Sequence, residues 1–388
     1  MQMRVGASAR ALKILLLTLL ALILSEATGR TAAQDEKPSW QADWEKTVAA
    51  AKKEGQLAIY GSITPFRILD EGVFQKRFPE IKVVTVSHEQ AQQRIVMERR
   101  ADKYLADILI GGSATPWQLY GMGALDPVKP ALILPEVVDE SKWWGGKHYY
   151  IDAEKKHIFM YMGVPQNGGV YYNRNLVNPD DHRSFWDFVN PKWKGKIAAR
   201  DIRSPGSGSS NMKFFYYNPE LGSKFITRLF GEMDVTLFLD RRQSVDWLST
   251  GKFPLCFFCV PSEIGRAESQ GLPVGAFGLL KEGAGLTTHS GALSFMKNAP
   301  HPNASKVFIN WLLSREGQIT FQNAYIKGKV GASNSMRIDI PKDGIPPDQR
   351  LVKGVRYIEV ETPERMSMDP IYKAFNDALA VAEKRRSR

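Results

Sequence analysis

Apolar positions along this chain fall into two alternating rhythms. Between 40 and 53 they recur as Trp44, Val48 and Ala51, a spacing of three and four that predicts an amphipathic helix, with Gly55 placed to stop it. Residues 57–60 follow as a short, continuous apolar run suited to a buried strand. A second helical face is made by Phe66, Leu69, Val73 and Phe74 and ends at Pro79; a strand is expected at 81–86, a helix at 90–101 and a strand at 107–110. This alternation predicts an α/β architecture with a largely parallel sheet. Further on, strands are read at 158–162, 169–173, 196–199, 236–239, 253–258 and 287–296, and helices at 225–230, 241–249 and 261–270. Residues 303–313 form another helix, with Val307, Phe308, Trp311 and Leu312 as a core-facing stripe. A last helix starts at Asp369 and Pro370 and buries Ile371, Phe375 and Leu379. Residues 125–151 hold three prolines and four Trp or Tyr residues, and are expected to wrap the first part of the fold.

The stretch 187–211 breaks this rhythm most sharply. A turn at Pro191, Lys194 and Gly195 leads into the 196–199 strand, and 200–209 is too rich in Gly, Pro and Ser to continue it. Ser209 or Ser210 then caps a helix to about Tyr217. A helix start leaves backbone N–H groups unpaired and carries partial positive charge, so a loop of small residues before it suits an anion. Arg200 and Arg203 add two forked donors. The bland alternative is an ordinary strand-to-helix connection. Neither G-x-G-x-x-G nor G-K-[ST] is present.

Ligands of open α/β sheets gather at the carboxyl ends of the strands. Two loops are expected there, 61–64 with Ser62 and Thr64, and 111–116 with Ser113 and Thr115. Both are uncharged and offer hydroxyls and N–H groups, although helix caps would use the same residues. The 260–263 segment is a strand end feeding a helix and turns Ser262 and Glu263 toward the same region.

Charge and termini narrow the picture. Arg4, Arg10 and Lys13 precede an apolar run over 14–24 and then small residues through Ala33, the pattern of a secretory signal peptide occupying 1–33. The run is too short to span a bilayer core. The 388-residue chain carries a formal net charge of +11, which favours anionic partners. Its basic residues are scattered rather than striped, and no nucleic-acid module is visible, so nucleic acid is not an expected partner. The only two cysteines, Cys256 and Cys259, suit a local disulfide in an oxidising compartment. A flat strand would turn them to opposite faces, so a bridge requires the strand to end there; buried thiols, a redox pair or a metal site are the alternatives.

Four separated words carry a resemblance: GGVYYNRNLV (168–177), NPKWKGKI (190–197), DIRSPGSG (201–208) and APHPNASKVFINWLLSREGQ (299–318). Over about 40–337 the chain is similar to the substrate-binding proteins of bacterial ABC importers, most closely the branch labelled ferric-iron or extracellular solute-binding. The resemblance implies a two-lobed, type II periplasmic-binding fold that closes on a solute and delivers it to an inner-membrane ABC permease. It divides the chain into one lobe of 36–165 and 280–335, a second of 166–279, and a C-terminal segment of 336–388. The 169–173 and 273–279 segments become crossings between lobes, which brings Tyr171 to the cleft, and the strand at 287–296 is back in the first lobe.

Ferric-binding members hold the ion through adjacent tyrosines where a strand enters a second-lobe helix. The matching segment here, 256–263, has no tyrosine. A hard ion such as Fe(III) wants anionic oxygen donors, so an oxygen-rich anion, a carboxylate, phosphate or phosphonate, is the expected solute and iron the alternative. The candidate ligand set is Ser62, Thr64, Ser113, Thr115, Tyr171, Arg203, Ser207, Ser209, Arg242 and Glu263, with no metal, no cofactor and a monomeric protein in the periplasm. An enzyme is a rival, but no G-x-S-x-G or H-E-x-x-H occurs and the six histidines never fall at i, i+4. A solute-sensing domain is a third reading.

Overall fold

Two separate sheets, each flanked by helices, are joined through a small third one. The computed structural model describes residues 38–61, 69, 72–204, 207–328, 334–345 and 349–387, and the expected leader at 1–33 lies outside them. Trp44–Arg388 form one compact unit; of the other, Met1–Asp43, the described part is the opening of a helix. The first elements are α1 (Ser39–Glu54), β1 (Gln56–Gly61), α2 (Val73–Arg77), β2 (Lys82–Ser87), α3 (His88–Arg100), β3 (Ile108–Gly111), α4 (Ala114–Gly121) and β4 (Leu125–Asp126). Next come β5 (Ile158–Met160), β6 (Val164–Gln166), β7 (Val170–Asn173), β8 (Ile197–Arg200), α5 (Ser207–Tyr217), α6 (Gly222–Glu232), β9 (Thr236–Phe238), α7 (Arg241–Ser249), β10 (Leu255–Phe257), α8 (Pro261–Ser269) and β11 (Val274–Ala276). The chain finishes with β12 (Ala284–Thr287), β13 (Ala292–Met296), α9 (Pro302–Leu313), α10 (Arg315–Gly328), β14 (Tyr357–Glu359) and α11 (Asp369–Arg386).

The first sheet runs β2-β1-β3-β13-β4, with β5 also on β13. Its β2, β1 and β3 are parallel, as the alternation of strands and helices requires, and β13 is inserted antiparallel. The α9 stripe closes one face: Phe308 and Trp311 each meet the Phe74 ring edge-on at 5.3 Å. Trp143 and Tyr149 of the long 125–151 connection are buried in the same core.

The second sheet runs β11-β7-β10-β8-β9. Here β8, β9 and β10 are parallel, so their carboxyl ends open on one edge. The last helix, α11, completes this body. Its Ile371, Phe375 and Ala378 are buried with the second core, and Phe375 meets Phe230 of α6 at 4.9 Å. Gly231 allows the approach, since a Cβ there would come within 3.0 Å of the Ala378 carbonyl oxygen.

The crossings differ from expectation. Segments 169–173 and 273–279 do not leave the second sheet; β7 and β11 pair with each other inside it, Asn173 opposite Val274. The strands that run between the bodies are β6 and β12, antiparallel partners, with β14 added parallel to β12. Strands of three or four residues carry no readable alternation, and Pro165 argues against a strand except at an edge, which is where β6 lies. The single strand expected at 287–296 is likewise two, β12 and β13. A turn closed by Gly291 N–H donating to the Thr288 carbonyl at 2.7 Å separates them, with His289 in the left-handed region at φ 51.

Candidate functional site

Three parallel strands of the second sheet deliver their carboxyl ends side by side. β8 ends on Arg200, paired with Phe238 at the end of β9. Arg200 is only 5% exposed; burial lowers its pKa, and the nearby Arg241 guanidinium lowers it further. Arg241 opens α7 and is exposed. That helix starts because the Asp240 carboxylate accepts the Gln243 N–H at 2.8 Å, a standard cap. Two cations therefore act on each other at these strand ends, and α5 is the next helix in the chain after β8. Two like charges held together attract an anion and gain from its arrival.

Arg203 is committed elsewhere. Its Nε and Nη2 donate to the Asp201 carboxylate at 2.9 and 2.5 Å, which holds the Asp201 pKa below the ordinary carboxylate range. The guanidinium also lies 5.8 Å from the Phe375 ring centre. At the end of β10 the chain turns through Phe258, whose φ is +62. This ends the strand between the cysteines and lets Cys259 swing back to Cys256, and the two form a disulfide with Cα atoms 6.0 Å apart. Both sulfurs are buried beneath α7 and α8 with Tyr171.

The first sheet presents a different floor. β3 leads through Gly112 into α4, whose N-cap is Ser113. Thr115, one residue into the helix, is buried. The Ser113 hydroxyl donates to Glu361 Oε1 at 2.9 Å, and the Thr288 N–H donates to Glu361 Oε2 at 2.7 Å. Burial raises the Glu361 pKa, against the pull of these bonds and of Lys213. Lys213, on α5, is buried and its own pKa is lowered by that burial, with Glu361 opposing. Its Nζ donates to the Met366 carbonyl at 3.3 Å. Among the described residues no three His, Cys, Asp or Glu side chains converge as a metal site would need.

The family model for bacterial extracellular solute-binding proteins matches residues 54–319. The chain belongs to that family. No curated protein matches it. Among solved structures, iron-bound HitA from Pseudomonas aeruginosa is 17% identical with a TM-score of 0.55, covering 83% of this chain and 99% of that one. A Trichodesmium protein, IdiA or FutA, in complex with iron and citrate, is 18% identical with a TM-score of 0.59 over 85% and 99% of the two chains. AfuA from Actinobacillus pleuropneumoniae with fructose-6-phosphate bound is also 18% identical, with a TM-score of 0.51 over 85% and 99%. At these identities the likeness is one of fold, the two-lobed type II periplasmic-binding fold.

Within this solute-binding protein the sequence-derived candidates scatter. Ser62 and Thr64 lie outside the described residues, as does the side chain of Ser207. Ser209 sits half-buried in the first turn of α5. Tyr171 is central in β7, opposite Cys256 and Ala276, and packs in the small core under α7 and α8 rather than on a crossing strand. Arg242 is exposed in the first turn of α7. Glu263, in the first turn of α8, pairs with Arg266 at 3.3 Å. The groups missing from the candidate set are Arg241, Lys213 and Glu361. Arg200 was named as a donor and then left out. Its position as the last residue of an apolar strand run was the available signal; for Glu361 there was none.

Proposed function

We propose that this solute-binding protein captures a small oxygen-rich anion, a carboxylate, phosphate or phosphonate, and delivers it to an inner-membrane ABC permease, working as a monomer in the periplasm after removal of residues 1–33. The observation that carries the reading is the buried Arg200 with Arg241 beside it at the strand ends of the second sheet. A planar guanidinium in a low-dielectric floor binds a carboxylate or phosphate through paired, charge-assisted hydrogen bonds. The first turn of α5 adds backbone N–H groups. In the division we adopt, 36–165 with 280–335 and 166–279 are the two lobes, with 336–388 as a C-terminal segment. The strands β6, β12 and β14 serve as the hinge. No chemical step is assigned, and closure follows from tighter binding to the closed form.

Arg200→Gln tests the anion. Two charge-assisted bonds of about 1.5–3 kcal/mol each make a loss of roughly a hundredfold or more in affinity the expected result. The measurement is calorimetric titration with a panel of carboxylates, phosphates and phosphonates, chosen by native mass spectrometry of protein purified without refolding. Unchanged affinity for the anion that wild type binds would remove Arg200 from the site. A phenolate-to-iron absorption band on adding ferric citrate would replace the anion with a metal.

A further inference from the structure

The Glu361 carboxylate sits on the first-sheet floor, where a solute would otherwise find hydrogen-bond donors, and it comes from outside the 54–319 region that matches the family. The chain reaches it through β14, the third strand of the hinge sheet. One carboxylate oxygen takes the Ser113 hydroxyl at the carboxyl end of β3, and the other takes the Thr288 N–H in the turn between β12 and β13. Each oxygen keeps a lone pair for a further donor. Lys213 approaches from α5, on the second body, and partly offsets the charge.

Two consequences follow from these hydrogen bonds. The hydroxyl and N–H of this floor are already donating to the protein's own carboxyl group, so an incoming anionic group finds those donors taken and has to settle at the other end, on Arg200 and Arg241. What the first-sheet end can still accept is a hydrogen-bond donor. We infer that Glu361 is a specificity-determining residue, and that the solute carries an anionic group at one end and a hydroxyl or ammonium group at the other. This rests on the anion reading above for the anionic half only. Hydroxyl and ammonium share the donor chemistry and differ in charge, so a carboxylate to carboxamide change separates them.

The test compares probes that differ in the donor alone: 2-aminoethylphosphonate against ethylphosphonate, and glycerol 3-phosphate against propyl phosphate, titrated calorimetrically into wild type, Glu361→Gln and Glu361→Asp. Wild type is expected to favour at least one donor-bearing probe over its stripped counterpart by tenfold or more. Glu361→Gln should shrink that ratio to within threefold while leaving the stripped probe as tight or tighter. Glu361→Asp, which keeps the charge, should preserve the direction of preference. A larger loss for the amine than for the hydroxyl assigns ammonium, and the reverse assigns hydroxyl. Equal affinities for both members of each pair in wild type overturn the inference and leave the anion reading standing. An unchanged ratio in Glu361→Gln makes Glu361 a structural strut and also overturns it. Tight binding of ethanolamine, abolished in Glu361→Gln, with no phosphonate or phosphate bound, keeps the donor preference and sinks the anion reading. Binding of none of the probes, nor of 3-hydroxypropanoate and β-alanine as their carboxylate counterparts, sinks both.

Discussion

The two strand-end floors of this protein are built with opposite chemistry. On the second sheet the ends of β8 and β9 present Arg200 and Arg241, and a disulfide pins the loop that follows β10. On the first sheet the end of β3 presents a hydroxyl and a backbone turn, both occupied by a carboxylate from the C-terminal segment. One floor is cationic and covalently braced. The other is hydroxyl-rich, built around a carboxyl group and braced by hydrogen bonds. On the reading proposed above such a pair would orient its solute, because only one end of a polar molecule suits each side, whereas two cationic floors would bind a symmetric anion either way round.

Beyond the loss of binding expected of Arg200→Gln, the largest effect that would sharpen this contrast is on the covalent brace. Replacing Cys256 and Cys259 together by Ser should lower unfolding free energy by about 2 kcal/mol, the chain-entropy expectation for so short a loop. Denaturant titration with and without reductant reads it. Equal stability of variant and wild type under oxidising conditions would mean the second floor does not depend on the bridge.

The next contrast is in pH. The Asp201 pKa is held down by Arg203, so its contribution is present above its unfolded pKa of about 3.9 and is lost as pH falls through the folded value. Burial raises the Glu361 pKa, so its contribution is complete below its unfolded pKa of about 4.3 and is lost as pH rises through the folded value. Relative to Asp201→Asn, wild type should therefore be most stable at neutral pH and lose its advantage on acidification. Relative to Glu361→Gln, it should gain as pH falls. Thermal melts across pH 3–7 check both signs, and parallel slopes would break the comparison.

The smallest expected effect is that of Arg203→Ala. With its guanidinium shared between Asp201 and the face of Phe375, and its own side chain 52% exposed although Asp201 is buried, the half-exposed pair contributes about 1 kcal/mol to stability. Anion affinity should change less than threefold. A loss comparable to that of Arg200→Gln would move Arg203 into the site.

How much of this was legible depends on how local the cause is. The helix Arg241–Ser249 was readable to the residue, because an Asp cap and an amphipathic face lie within ten positions. The strand and helix alternation of the first hundred described residues was equally plain. The disulfide needed its strand to end between the cysteines, and Phe258 supplies that turn. The sheet that joins the two bodies was not legible: β6 and β12 are too short to show a period, and their pairing joins residues about 120 apart in the chain. Arg203 looked like a donor because its neighbour Asp201 was read as part of a word rather than as a counter-charge two residues away. Glu361 could not be found at all, since it lies 248 residues from Ser113 and nothing around it marks it out.

The last helix has a consequence for how the molecule is made. α11 fills the second core against α6, so a nascent chain that has already emerged through β11 still lacks the element that covers Phe230. The first sheet waits too, though less long, for β13 to slot between β3 and β4. Pairings this distant in the chain are slow to form, and the apolar surface left open meanwhile is prone to aggregate. The second body therefore cannot close over Phe230 until α11 has been made, about a hundred residues after its last strand, β11, whereas the first needs only β13 to complete its sheet.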